Sequence, residues 1–160
     1  MRLLLNRPQF QRYNEIFDDY GFGLGMRGLL LYKIFPFEKF LLEDGKPWFV
    51  EKRTDEGKVI SLDKSQAAFQ SYLGLSKRIE QSGDGISTKW NGSTLVRSHL
   101  YIWIIATVAR SDARGAYPKR AILGDKWDKL AAKGVKGKDA CIRCCYTLTR
   151  MLYTELLRSR

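Results

Sequence analysis

The sequence predicts a mainly α fold: a compact helical domain with a helix-hairpin-helix-like N-terminal part and room for one small β-hairpin. Three observations carry this. Apolar residues recur at helical spacing, as in Phe10, Tyr13, Ile16 and Phe17. Glycine and proline punctuate the chain at intervals of helix length, at Pro8, Gly21, Pro36, Gly74, Gly92, Pro118 and Gly134. Apolar side chains make up 44% of 160 residues, enough to build a core and to exclude wholesale disorder.

The elements follow in order. Pro8 starts a helix over 8–19, since its missing N–H and fixed φ suit a first turn. The segment 21–25, Gly-Phe-Gly-Leu-Gly, is a tight turn, and an apolar helix over 26–34 follows, broken before Pro36. Helix, Gly-x-Gly turn, helix is the outline of a helix-hairpin-helix, in which Gly21 and Gly23 leave backbone N–H groups open to a phosphate. A plain αα corner fits the same residues. A dinucleotide fingerprint does not, because no strand precedes the glycines. A short helix over 37–42 and a turn over 43–47 lead to 48–53 and 58–61, which form the hairpin around Asp55-Glu56-Gly57. Residues 62–73 read as a helix capped by Ser61 and ended by Gly74. Residues 77–88 lack a helical period and read as a loop or an irregular strand. Ser93 or Thr94 caps a helix to about Arg110, apolar nearly all round and therefore central in the fold. Pro118 opens a helix with Gly124 as a weak point. A basic turn over 133–138 precedes a final helix over 139–157. The chain divides into a lobe over 1–47, the hairpin over 48–60 and a basic helical part over 61–160, all within one domain.

Charge is placed unevenly. Residues 1–88 carry 13 Lys and Arg against 12 Asp and Glu, whereas 89–160 carry 15 against 5. A neutral front and a basic back point to a polyanionic partner, nucleic acid before membrane surface. No apolar run approaches the roughly 20 residues that span a bilayer. The opening Met-Arg-Leu-Leu-Leu is too short for a signal peptide and lacks a small-residue cleavage site, so the chain reads as cytoplasmic. Cys141, Cys144 and Cys145 cluster in one apolar helix and give no disulfide framework. Zinc would need a fourth ligand, and His99 is the one histidine, so packing is the expected role.

The stretch 72–101 holds the candidate chemistry. Ser82 lies between Gln81 and Gly83, where a loop exposes its hydroxyl as a nucleophile. Arg97 sits on the first turns of the helix after it, close to the loop that bears Ser82, and its planar fork matches two phosphate oxygens; Lys89 is second in line. Lys133, Lys136 and Lys138 are the further basic candidates. The plainer readings are a turn-stabilising Ser82, an Arg97 paired with Glu80 or Asp84, a packed His99, and Asp84 and Asp112 as turn and cap residues. A hydrolase of small esters is disfavoured, because Gly-x-Ser-x-Gly is absent.

Five blocks stand in an order that resembles the C-terminal transposase domain of the IS-one-ten family of insertion sequences, with its one-sixteen and nine-oh-two types. They are Gly21-Phe22-Gly23 before an apolar helix; Ala67-Ala68-Phe69 through Tyr72-Leu73-Gly74-Leu75; Gln81-Ser82-Gly83; Gly92, Val96-Arg97 and Leu100-Tyr101; and Lys133-Gly134-x-x-Gly137-Lys138 before a helix. The resemblance covers the chain from about Tyr13 onward. It departs at 90–93, where Trp-Asn-Gly-Ser stands for the family's Lys-Arg-Gly-Asn, and at Tyr146-Thr147, where the family has Arg-Lys. It implies an RNA-guided DNA recombinase in which Ser82 forms a phosphoserine ester with DNA. It also implies DNA and a guide RNA as partners, assembly into oligomers, and Mg²⁺ held by acidic residues of a RuvC-like half. About twelve residues precede the hairpin, which begins near Tyr13, and none of them is acidic. The expectation is therefore a fragment, split protein or remnant that binds nucleic acid and relies on a RuvC-like domain elsewhere for cleavage. A binding module without chemistry is the rival expectation.

Overall fold

The computed structural model describes residues 7–82, 85–115 and 117–160. The fold is mainly α with two small antiparallel hairpins. A 3₁₀ turn at Pro8–Phe10 runs into α1 (Gln11–Tyr20), followed by α2 (Leu24–Ile34) and a 3₁₀ turn at Phe37–Phe40. Next come β1 (Phe49–Arg53), β2 (Val59–Asp63) and α3 (Lys64–Tyr72). A second hairpin, β3 (Ser76–Ser82) and β4 (Gly85–Asn91), precedes α4 (Thr94–Thr107). After a 3₁₀ turn at Ser111–Ala113, α5 (Pro118–Ala132) and α6 (Gly137–Arg158) complete the chain.

The last helix is the hub. Ala140, Cys141, Cys144, Cys145, Leu148, Thr149, Leu152, Tyr153 and Leu156 are all buried, a stripe with helical period that meets α1, α3, α4 and α5. The three cysteines are free buried thiols within that stripe. Tyr13, Phe17 and Tyr20 of α1 join the same cluster, as do Leu30 and Ile34 of α2. Buried residues from Tyr13 to Phe37 therefore share one core with the rest of the chain. An aromatic knot of Phe37, Phe69 and Tyr153, with ring centroids 5.5–5.9 Å apart, fastens the 3₁₀ turn and α3 to α6.

Several expectations are corrected. α4 is not central: Val96, Leu100, Trp103 and Ile104 are buried, but Leu95 is 56% and Ile102 62% exposed on its other side. Composition alone could not separate a buried helix from one with an apolar outer face. The cap of α3 is Asp63, whose carboxylate accepts from the Gln66 N–H at 2.8 Å, whereas Ser61 pairs within β2. Residues 77–82 and 85–88 lie in the two paired strands β3 and β4. Both faces of this pair carry charged and polar groups, so the apolar alternation that announces a strand is missing. Gly124 is no weak point: it is buried, and a Cβ there would stand 2.5 Å from Cδ of Arg114, which crosses it to grip Asp128.

Candidate nucleic-acid interface

The hairpin β3–β4 meets α4 through two glycines. Gly74 and Gly92 both have positive φ, 86° and 82°, conformations that cost other residues about 1–3 kcal/mol. Their missing side chains allow backbone to touch backbone: a Cβ on Gly74 would lie 2.3 Å from the Ser93 carbonyl oxygen, and one on Gly92 1.9 Å from that of Ser71. Ser93 then caps α4, its Oγ accepting from the Val96 N–H at 3.3 Å. This seats the first turn of α4 against the base of the hairpin.

Arg97 projects from that turn. Its Nη1 donates to the Gly74 carbonyl at 3.0 Å and its Nη2 to Thr94 Oγ1 at 3.4 Å. The guanidinium lies 5.1 Å from the ring centre of Trp90, and the Lys77 ammonium, directly across the hairpin, lies 4.9 Å from the same ring. A local carbonyl thus holds Arg97; Asp84, one of the two acids the plainer reading offered it, lies outside the described residues. Beyond it opens a cleft of about 440 Å³, lined by Trp90, Arg97, Ser98, Tyr101, Lys138 and Ile142. Among the described residues, no carboxylate pairs with Lys77, Arg97 or Lys138. Cations ordered by an aromatic ring, beside an apolar floor of Tyr101 and Ile142, suit a phosphate joined to a flat, partly apolar group.

The structure gathers some sequence candidates and parts others. Arg97 and Lys138 come together although 41 positions separate them. Lys133 and Lys136 are exposed on the α5–α6 turn beside them but do not line the cleft. Lys89 stands opposite Arg78, and strand alternation turns it to the hairpin face away from Trp90. His99 is exposed, with Nδ1 2.9 Å from the Leu95 carbonyl oxygen, and Asp112 is held by Arg110. Ser82 ends β3 and pairs with Gly85 across the tip; Gly83 and Asp84 lie outside the described residues. Five residues separate Ser82 from Lys77, about 16 Å along an extended strand. Arg97 is therefore not beside Ser82, contrary to expectation, because the segment between them is a hairpin and not a folded-back loop.

The glycine turn is also partly occupied. The Gly21 N–H is committed to the Asp18 carbonyl at 2.9 Å. Arg120 donates to the carbonyls of Tyr20, Gly21 and Ala113 at 2.9, 2.6 and 3.1 Å, and lies 4.1 Å from the Tyr117 ring centre. Gly21 is thus a packing position. Gly23, which precedes α2 and has open space about its Cα, is the one still placed to let a phosphate approach.

Among the described residues, no group of three or more His, Cys, Asp or Glu could hold a metal ion. Mg²⁺ does not fit the residues of this chain, and no step here runs through it. No described helix is long and apolar enough to cross a membrane. Sequence reasoning missed Trp90, Lys77 and Tyr101 as site residues. The available signal was Lys77 and Trp90, three positions after Gly74 and two before Gly92, which become opposite partners once the hairpin register is known. No protein family, curated protein or solved structure matches the chain.

Proposed function

We propose that this chain is a nucleic-acid-binding domain of the transposase type, a DNA transposition and recombination module of the kind the IS-one-ten resemblance describes, working in the cytoplasm. The observation that carries the reading is the meeting of Arg97 and Lys138 with Trp90 and Tyr101 in one cleft, with Lys77 against the same Trp90 ring and, among the described residues, no carboxylate paired with the three cations. DNA is the first ligand, with guide RNA as the alternative polymer. Ser82, at the tip of an arm, suits attack on a phosphodiester: its Oγ bonds to phosphorus, the bond to the leaving sugar oxygen breaks, and the phosphoserine ester stores the bond energy for rejoining. The base that takes the hydroxyl proton and the donor that protonates the leaving oxygen belong to the RuvC-like half in this reading. A binding module without chemistry is the second reading, favoured by the roughly 16 Å between Ser82 and the cleft.

Binding and chemistry are tested separately. Fluorescence anisotropy with duplex DNA should show tight binding at low salt. Lys138→Ala should lower the slope of log K against log salt by about 0.9, one phosphate contact. Trp90→Ala should weaken binding about tenfold or more through loss of a ring that orders two cations. Absence of DNA and RNA binding by the wild type would end the proposal. Nicked DNA, Mg²⁺ and a separately made RuvC-like half should yield a covalent adduct that Ser82→Ala abolishes. Binding without an adduct in any combination leaves the non-catalytic module.

A further inference from the structure

A second concave surface lies on the other flank of α6. Its floor is α6, with Arg143, Tyr146 and Arg150; its walls are α3, through Gln66 and Gln70, and α5, through Lys126. The groove measures about 310 Å³. Gln70 pins its floor, Nε2 donating to the Tyr146 carbonyl and to Thr149 Oγ1, both at 3.1 Å. Four cations of this chain pair with carboxylates: Arg12 with Glu38, Arg27 with Asp18, Arg114 with Asp128, Lys119 with Glu155. Among the described residues, half-buried Lys126 and exposed Arg143 and Arg150 have no such partner, and neither Asp125, Asp139 nor Glu155, the carboxylates nearest to them in sequence, lines the groove. Three cations line a polar hollow, and among the described residues no carboxylate lines it.

Arg143 and Arg150 are seven residues apart on one helix face, about 10 Å along the axis. That spacing suits successive phosphates of a polymer better than one small anion, and each guanidinium can fork onto its own phosphate. The cleft uses Lys138 and Ile142 of the same helix; Arg143 and Thr147, each five residues on and so about 140° round the axis, face a different flank. We infer that the groove binds a second nucleic-acid segment through its phosphate backbone, so that one chain holds two segments on two flanks of α6. This inference rests on the nucleic-acid reading above.

The test is a binding stoichiometry on the full chain. A fluorescent oligonucleotide of about eight nucleotides, the scale of one single-strand site, is titrated at low salt. The wild type should take up two per chain. Arg143→Gln with Arg150→Gln should take up one, as should Trp90→Ala with Lys138→Ala, and the fourfold variant none; unchanged melting by circular dichroism checks that each is folded. The groove pair should also lower the log–log salt slope on duplex DNA by about 1.8. One oligonucleotide per wild-type chain, lost only in the cleft variant, overturns the second site and leaves the cleft standing. Two per chain retained in the groove variant also overturns it. No uptake by the wild type overturns the nucleic-acid reading itself, and the inference with it.

Discussion

Replacing Arg120 by alanine should be among the most damaging changes at a partly exposed position. Its guanidinium ties three carbonyls from two distant segments, at 2.6–3.1 Å, and stacks on Tyr117. A hydrogen bond to a charged group contributes about 1.5–3 kcal/mol where water cannot replace it. These carbonyls are part-buried and would regain some hydration, so the sum is taken well below three full bonds, at about 2–4 kcal/mol. Loss of the ring contact lies within that range. In a domain of this size, 1 kcal/mol moves Tm by roughly 2–4 °C, so Arg120→Ala should lower Tm by about 5–15 °C. Arg120→Lys should recover less than half, because an ammonium is a point donor and cannot span three carbonyls with a fixed fork. Differential scanning calorimetry gives both numbers. A drop under about 2 °C for alanine, or full recovery by lysine, would refute the claim that the fork itself clamps the glycine turn to α5.

Gly92→Ala should destabilise by at least about 2 kcal/mol in denaturant titration, because positive φ and the overlap with the Ser71 carbonyl act together; it should weaken DNA binding as well, since the same contact seats Arg97. Tyr20→Phe removes the hydroxyl that donates to Glu155 at 2.9 Å and should cost about 1 kcal/mol by the same measurement, with Lys119 still paired to that carboxylate. Burial pushes the Cys144 thiol up to about 11, and a hydrogen bond with Cys141 raises the Cys145 thiol further. At pH 8 both stay protonated, so the folded protein should resist iodoacetamide and react fully only after denaturation, as counted by mass spectrometry. Fast alkylation of the native state would contradict the packed role of all three cysteines.

Local signals sufficed for much of the architecture. Pro8, Gly21, Pro36, Pro118 and Gly134 act through their own backbones, and so they marked element ends that the fold keeps. The first hairpin was legible from its turn residues, and the cysteine cluster from its helical spacing. Ser82 was legible as a residue between a polar neighbour and glycine, but its distance from Arg97 was not, because a polar two-sided hairpin leaves no periodic trace. The basic back half announced a polyanion partner by count alone. Which cations meet is a different matter. Lys138 joins Arg97 only because α6 packs across α4, and Arg120 is spent on carbonyls only because α5 packs on the glycine turn. Charge and local propensity are properties of a residue and its neighbours in the chain, so the sequence by itself determined the helical class, the breaks and the excess of base in the back half. The cleft, its Trp90 centre and the groove beyond α6 are made by contacts across 40 to 100 positions, and packing of the hydrophobic stripe on α6 decided those.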